Sequence, residues 1–158
     1  MQITRATDYA VRVMIHLSTL PAGSTLQQAA LAGATDVPRN FLSKVLQRLV
    51  HSGLVRSQRG SGGGFALAVN SNRVSLLDVV QAIEGPIRLN QCLIEGPSCD
   101  RKSWCPAHEV WADTQEAVVK ILGAATMQRL AAKVAGRHSY RKHKPIWIVG
   151  VRNTKDRK

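Results

Sequence analysis

Cys92, Cys99 and Cys105 are the residues hardest to explain as packing, and they are the only thiols in the chain. An odd number of cysteines gathered in one stretch argues against a disulfide framework and for a metal or redox site. Their gaps of six and five residues are wider than the paired spacing of zinc ribbons. Three thiolates in one loop can surround an iron–sulfur cluster and recruit a fourth ligand from elsewhere. Two candidates exist for that ligand: His108, three residues after Cys105, and Asp8, near the start of the chain. Zinc bound by three Cys and one His is the rival reading, and direct oxidation of the thiols is another. Equally, His108 fits an ordinary surface histidine and Asp8 an acid that favours a helix N-terminus.

The elements around these residues follow from periodicity. Cys105 directly precedes Pro106, which starts a long predicted helix to about Gly123. There the helix dipole lowers a thiolate pKa and favours an anionic cluster. Val110, Trp111, Thr114, Ala117, Val118, Ile121 and Leu122 give this helix a seam close to a heptad, which a two-fold partner would bury. Upstream, helices are expected over 7–20, 25–34 and 38–51, with Gly53 as the stop of the third. Residues 54–58 and 65–69 read as strands of a hairpin with a glycine-rich tip. Ser75 and Asp78 have the capping-box spacing and open a fourth helix. A final short helix covers 126–135.

Charge points the same modules at a polyanion. The formal net charge is +12, and residues 37–77 contain no Asp or Glu. That acid-free stretch covers the third helix and the hairpin. Arg39, Asn40, Ser43, Lys44, Gln47 and Arg48 lie opposite the apolar stripe of Phe41, Leu42, Val45, Leu46, Leu49 and Val50. Such a helix can fill a major groove, with its polar face reaching base edges and phosphates. In the hairpin, Arg59, Gly60, Ser61, Gly62 and Gly63 form a wing whose small residues let the backbone approach a duplex. The expected fold class is mainly α with a small β-hairpin: a winged helix-turn-helix plus a long dimerisation helix. The expected organisation is a DNA-binding domain over 1–85, a cysteine loop over 86–106, dimerisation helices over 107–136 and a basic tail over 137–158. The expected partners are a palindromic double-stranded DNA operator, with grooves about 34 Å apart, and a second copy of the chain.

Other classes fit poorly. There is no CxxC pair, no βαβ pattern and no nucleophile–base–orienter set, so a small thiol redox enzyme is disfavoured. No apolar run approaches the roughly eighteen residues that span a bilayer, and the N-terminus does not read as a signal peptide. A cytoplasmic location without a membrane partner is the expectation.

The chain from about residue 1 to 134 resembles the IscR/NsrR family of iron–sulfur transcription regulators. The likeness is carried by Ile3-Thr4 and Thr7-Asp8-Tyr9-Ala10-Val11-Arg12, then by Leu42 to Leu49 and Gly53-Leu54-Val55. Arg59 to Phe65, Val79 to Gly85, the three cysteines and Cys105 to Trp111 follow in the same order. The resemblance implies a homodimer with crossed long helices, a cluster near the dimer interface, and DNA affinity that changes with cluster state. Three cysteines with a following His are similar to the IscR type, which holds a 2Fe–2S cluster. Asp8 is similar to the carboxylate ligand of NsrR-type sensors, which hold a 4Fe–4S cluster. The first cysteine gap is one residue longer than in the IscR pattern, and Ser43 stands where IscR has an acidic residue. The tail beyond Gly136 falls outside the resemblance. Its eight Lys/Arg against one acid suit nonspecific DNA affinity, and residues 145–151 within it are β-prone.

Overall fold

The computed structural model describes residues 3–60, 62–94 and 99–135. Ser61 and the basic tail therefore lie outside the described residues. Six helices and one hairpin are arranged in the order α1 (Arg5–Thr19), α2 (Gln28–Thr35), α3 (Arg39–His51), β1 (Val55–Gln58), β2 (Gly64–Leu67), α4 (Leu76–Glu84), α5 (Pro106–Ala124) and α6 (Met127–Ala135). This is the mainly helical, hairpin-bearing class expected from the sequence.

The core assembles from one stripe per helix. Ala10, Val13, Met14 and Leu17 of α1 meet Leu31 of α2 and Leu42, Val45, Leu46 and Leu49 of α3. Val79 and Ile83 of α4 and Met127 of α6 complete the same cluster. Burying a side chain of this size contributes about 1.5–3 kcal/mol, so the shared core fixes the helices against one another.

Local signals set the boundaries. Asp78 and Ser75 form the reciprocal capping box that opens α4, with Ser75 N–H donating to Asp78 Oδ2 at 2.7 Å. At the end of α3, Gly53 adopts a φ of 73°, and its N–H donates to the Val50 carbonyl. Pro38 is the N-cap of α3 rather than its first helical residue. The second helix differs more from expectation: it begins at Gln28, not Thr25. Leu26 exchanges two backbone hydrogen bonds with Phe65, at 2.9 and 2.8 Å, and so adds a bridge to β2. The helix also runs through Gly33 and stops at Asp36, which takes the left-handed conformation.

The hairpin is antiparallel, in the register Val55↔Leu67 to Gln58↔Gly64. The stretch between α4 and α5, read as a loop, contains a 3-10 turn over Gln91–Leu93. Helix α5 has no buried residue. Helix α6 packs back on α1, with Met127 fully buried. Among the described residues, no helix is long and apolar enough to cross a membrane.

Candidate DNA interface and cysteine-bearing turn

Helix α3 turns its buried stripe inward and leaves Arg39, Asn40, Lys44 and Gln47 exposed together. Ser43, on the same face, is half-buried because it touches α2. Gln28 Nε2 donates to Ser43 Oγ at 2.6 Å, and Ser43 Oγ donates to the Arg39 carbonyl at 3.1 Å. Arg48 lies to one side. Its guanidinium donates to the Ile83 carbonyl at 2.9 Å, so this side chain ties α3 to the end of α4. Helical phase accounts for the difference: Arg48 sits at the edge of the polar face, next to the groove where α4 packs.

The wing owes its shape to two glycines. A Cβ on Gly63 would lie 2.3 Å from the Gln58 carbonyl oxygen, and one on Gly64 would lie 2.3 Å from that of Leu26. Gly63 N–H closes the tip onto the Gly60 carbonyl at 3.0 Å, and Thr25 Oγ1 donates to the Gly62 carbonyl. Gly60, Gly62, Arg56 and Arg59 are exposed. Helix face and wing flank one concave surface, lined by Gln28, Ser43, Gln47, His51, Ser57 and Phe65. Gln28 was not legible as a site residue in the sequence, because its role rests on a contact across fifteen positions.

The cysteines lie between α4 and the first turn of α5 in the chain. Cys92 is half-buried in the 3-10 turn, Cys99 is exposed, and Cys105 is the half-buried N-cap of α5. All three are free thiols. Lys102 N–H donates to the Cys99 carbonyl and Cys105 N–H to that of Arg101, which wind the chain into α5. One turn on, His108 N–H donates to the Cys105 carbonyl at 3.0 Å. Its ring Nδ1 is buried with no hydrogen-bond partner among the described residues. A buried ring nitrogen without a partner is the exception in folded proteins. Asp8 instead pairs with Arg12 at 2.8 Å, one turn along α1. Among the described residues, no three of the His, Cys, Asp and Glu side chains converge as a ready-made metal site. The donor chemistry, three thiols and an orphaned imidazole, fits a soft thiolate-bound group such as an iron–sulfur cluster.

Three helices, a basic recognition surface and a glycine-tipped hairpin define a winged helix-turn-helix protein. The family model described as "Rrf2: Iron-dependent Transcriptional regulator" matches residues 3–133, and the chain belongs to this family of transcription regulators, not to an enzyme family. The HTH-type transcriptional repressor NsrR of Streptomyces coelicolor is 31% identical over 137 residues, which cover 86% of this chain and 92% of that one. An HTH-type transcriptional regulator of Mycobacterium tuberculosis, Rv1287, is 38% identical over 87 residues. That match spans 55% of this chain and only about half, 54%, of the relative. Among solved structures, CymR, the global cysteine regulator of B. subtilis, superposes with a TM-score of 0.69 at 22% identity, covering 84% of this chain and 98% of that one. This likeness supports the winged-helix fold.

Proposed function

We propose that the protein is a cytoplasmic, homodimeric repressor that reads a palindromic operator and reports redox, nitric oxide or iron–sulfur status through a cluster held by Cys92, Cys99 and Cys105. The observation that carries the DNA reading is the shared exposed surface of α3 and the wing, in a stretch without a single acid. Arg39, Asn40, Lys44 and Gln47 meet base edges or phosphates there, and Arg59 with the glycine tip meets the flanking groove. Arg48 supports this surface from the side by anchoring α3 to α4.

Two features support the sensor. Cys105 is the N-cap of α5, where the helix dipole favours negative charge. His108 offers its unpaired Nδ1 as the fourth donor from the same turn. Asp8, already paired with Arg12, is the competing carboxylate. When bound, the cluster supplies iron that exchanges electrons or takes up nitric oxide. The chain's part is to hold it beside α5 and the partner copy.

Dimerisation rests on the exposed seam of α5. Ala107, Val110, Thr114, Ala117, Ile121 and Ala124 alternate steps of three and four residues, and all are exposed. That is the spacing of an interhelical coiled-coil seam.

A second reading is a regulator whose thiols are oxidised directly or bind zinc. The exposure of Cys99 favours direct oxidation. One experiment separates the readings: the visible absorption of protein purified without oxygen, wild type and Cys99→Ala, paired with operator binding. Coloured wild type, bleached variant and altered DNA affinity support the cluster sensor. Colourless protein after iron–sulfur reconstitution refutes it and leaves the thiol or zinc switch.

A further inference from the structure

We propose that Gln28, on α2 and outside the recognition helix, determines which bases that helix accepts, by holding the Ser43 hydroxyl as a pure hydrogen-bond acceptor toward DNA. This rests on the DNA-binding reading above.

A serine hydroxyl has one proton to donate and two lone pairs to accept with. In this structure the proton is committed to the Arg39 carbonyl, and one lone pair is taken by Gln28 Nε2 at 2.6 Å. A single acceptor position therefore remains. Gln28 is the first residue of α2, whose start is fixed by the Leu26–Phe65 bridge immediately before it, so its reach to α3 is set by the backbone. Both residues are half-buried on the rim of the concave surface between α2, α3 and the wing. Their bond is thus accessible from the groove side but sheltered enough to persist.

Major-groove chemistry converts that polarity into a preference. Adenine N6 and cytosine N4 are donors there, whereas guanine N7 and O6 and thymine O4 are acceptors. An acceptor-only Ser43 accepts from adenine or cytosine and faces guanine or thymine with lone pair against lone pair. Without Gln28 only the 3.1 Å bond to the Arg39 carbonyl restrains the hydroxyl, which can then swing away and donate to the DNA instead, so the preference weakens. Gln28 is a positioning residue: it selects bases through Ser43.

The test is selection of duplexes by full-length protein from a library randomised across the operator half-site, followed by affinity measurements. Ser43→Ala identifies the base position that depends on Ser43. Wild type should prefer adenine or cytosine there by about 3- to 10-fold, the worth of one net hydrogen bond. Gln28→Ala should weaken that preference while keeping its preferences elsewhere, and the double variant should match Ser43→Ala. Gln28→Glu provides the control for a merely structural role. Its carboxylate takes the Ser43 proton and leaves lone pairs facing the DNA, so it should bind more weakly on all duplexes yet retain the adenine or cytosine preference. A wild-type preference for guanine or thymine at that position, or an unchanged preference in Gln28→Ala, overturns the proposal. Wild type that selects no sequence at all overturns the DNA reading itself.

Discussion

Thr7 in the first turn of α1 donates its hydroxyl to Glu84, 77 positions later at the end of α4. The same carboxylate oxygen accepts from Thr4 N at 3.1 Å and Thr4 Oγ1 at 2.6 Å. Thr4 is the N-cap of α1, so Glu84 caps that helix from another element and places a negative charge at the positive end of its dipole. Arg48 reaches the neighbouring Ile83 carbonyl. Three helices, α1, α3 and α4, are thus tied together at one corner.

This corner should be sensitive to pH. Burial pushes the Glu84 carboxyl up, but the hydrogen bonds from Thr4 and Thr7 and the Arg48 charge outweigh it and hold it below its ordinary value. A depressed folded-state value stabilises the fold fully above the ordinary glutamate range of about 4.3, and the gain is lost as pH falls through the folded value. We predict that Glu84→Gln destabilises the metal-free protein by about 1 kcal/mol at pH 7, and that the gap narrows in acid. Urea unfolding at neutral pH and near pH 3.5 measures it. A gap that is constant or widens in acid contradicts the assignment.

The α5 seam should govern assembly. Val110 and Ile121 are 63% and 69% exposed, unusual for residues of their size on a helix with no buried position. Burying one isoleucine contributes about 1.5–3 kcal/mol, and a two-fold interface buries it twice. Ile121→Lys should therefore raise the dimer dissociation constant by at least about 100-fold while leaving the monomer fold intact. Sedimentation with circular dichroism reports both quantities. A stable dimer in this variant would place the interface elsewhere.

Neighbouring wing glycines should behave differently. Gly62→Ala meets nothing within 4 Å, whereas Gly64→Ala meets the Leu26 carbonyl at a φ of 155°. The second substitution should cost about 1–3 kcal/mol and the first should be nearly neutral. In the same assays, Arg59→Ala separates two roles. A loss of about 1–3 kcal/mol on specific duplexes alone means base or shape reading. An equal loss on scrambled duplexes, with a salt slope smaller by about one, means phosphate contact.

The fourth ligand can be assigned by substitution. If the proposed cluster forms, His108→Ala should lose its visible absorption, whereas Asp8→Asn should keep it. Reversal of these two outcomes would hand the role to the carboxylate of α1.

Much of this was legible in the sequence where the signal is local. The apolar stripe of α3, the Ser75–Asp78 capping box, Gly53 as a helix stop and Pro106 at the head of α5 each depend on residues a turn or two apart. What escaped depends on tertiary neighbours. Leu26 sits in an alanine-rich run with helical character, and only its pairing with Phe65 makes it extended. Arg48 and Ser43 share a polar face with Lys44, and only the packing of α4 and α2 assigns them inward tasks. Glu84 ends its helix without any cue that it caps α1.

The route of the chain through α5 and α6 has a further consequence. The chain leaves the body after α4 and comes back along α5, whose end is fastened where the Ala125 carbonyl accepts from Leu76 N–H and Met127 N–H donates to the Val74 carbonyl, each at 2.8 Å. Met127 then joins the same core as Leu42, Val45, Leu46 and Leu49 of α3. The long helix is therefore an insertion within the DNA-reading body and not an appendage to it. Truncation after Cys105 would open a hole in the core, so this body cannot be excised as a cassette for fusion to another protein. Such a chain cannot shed the arm without also losing Met127 from its core.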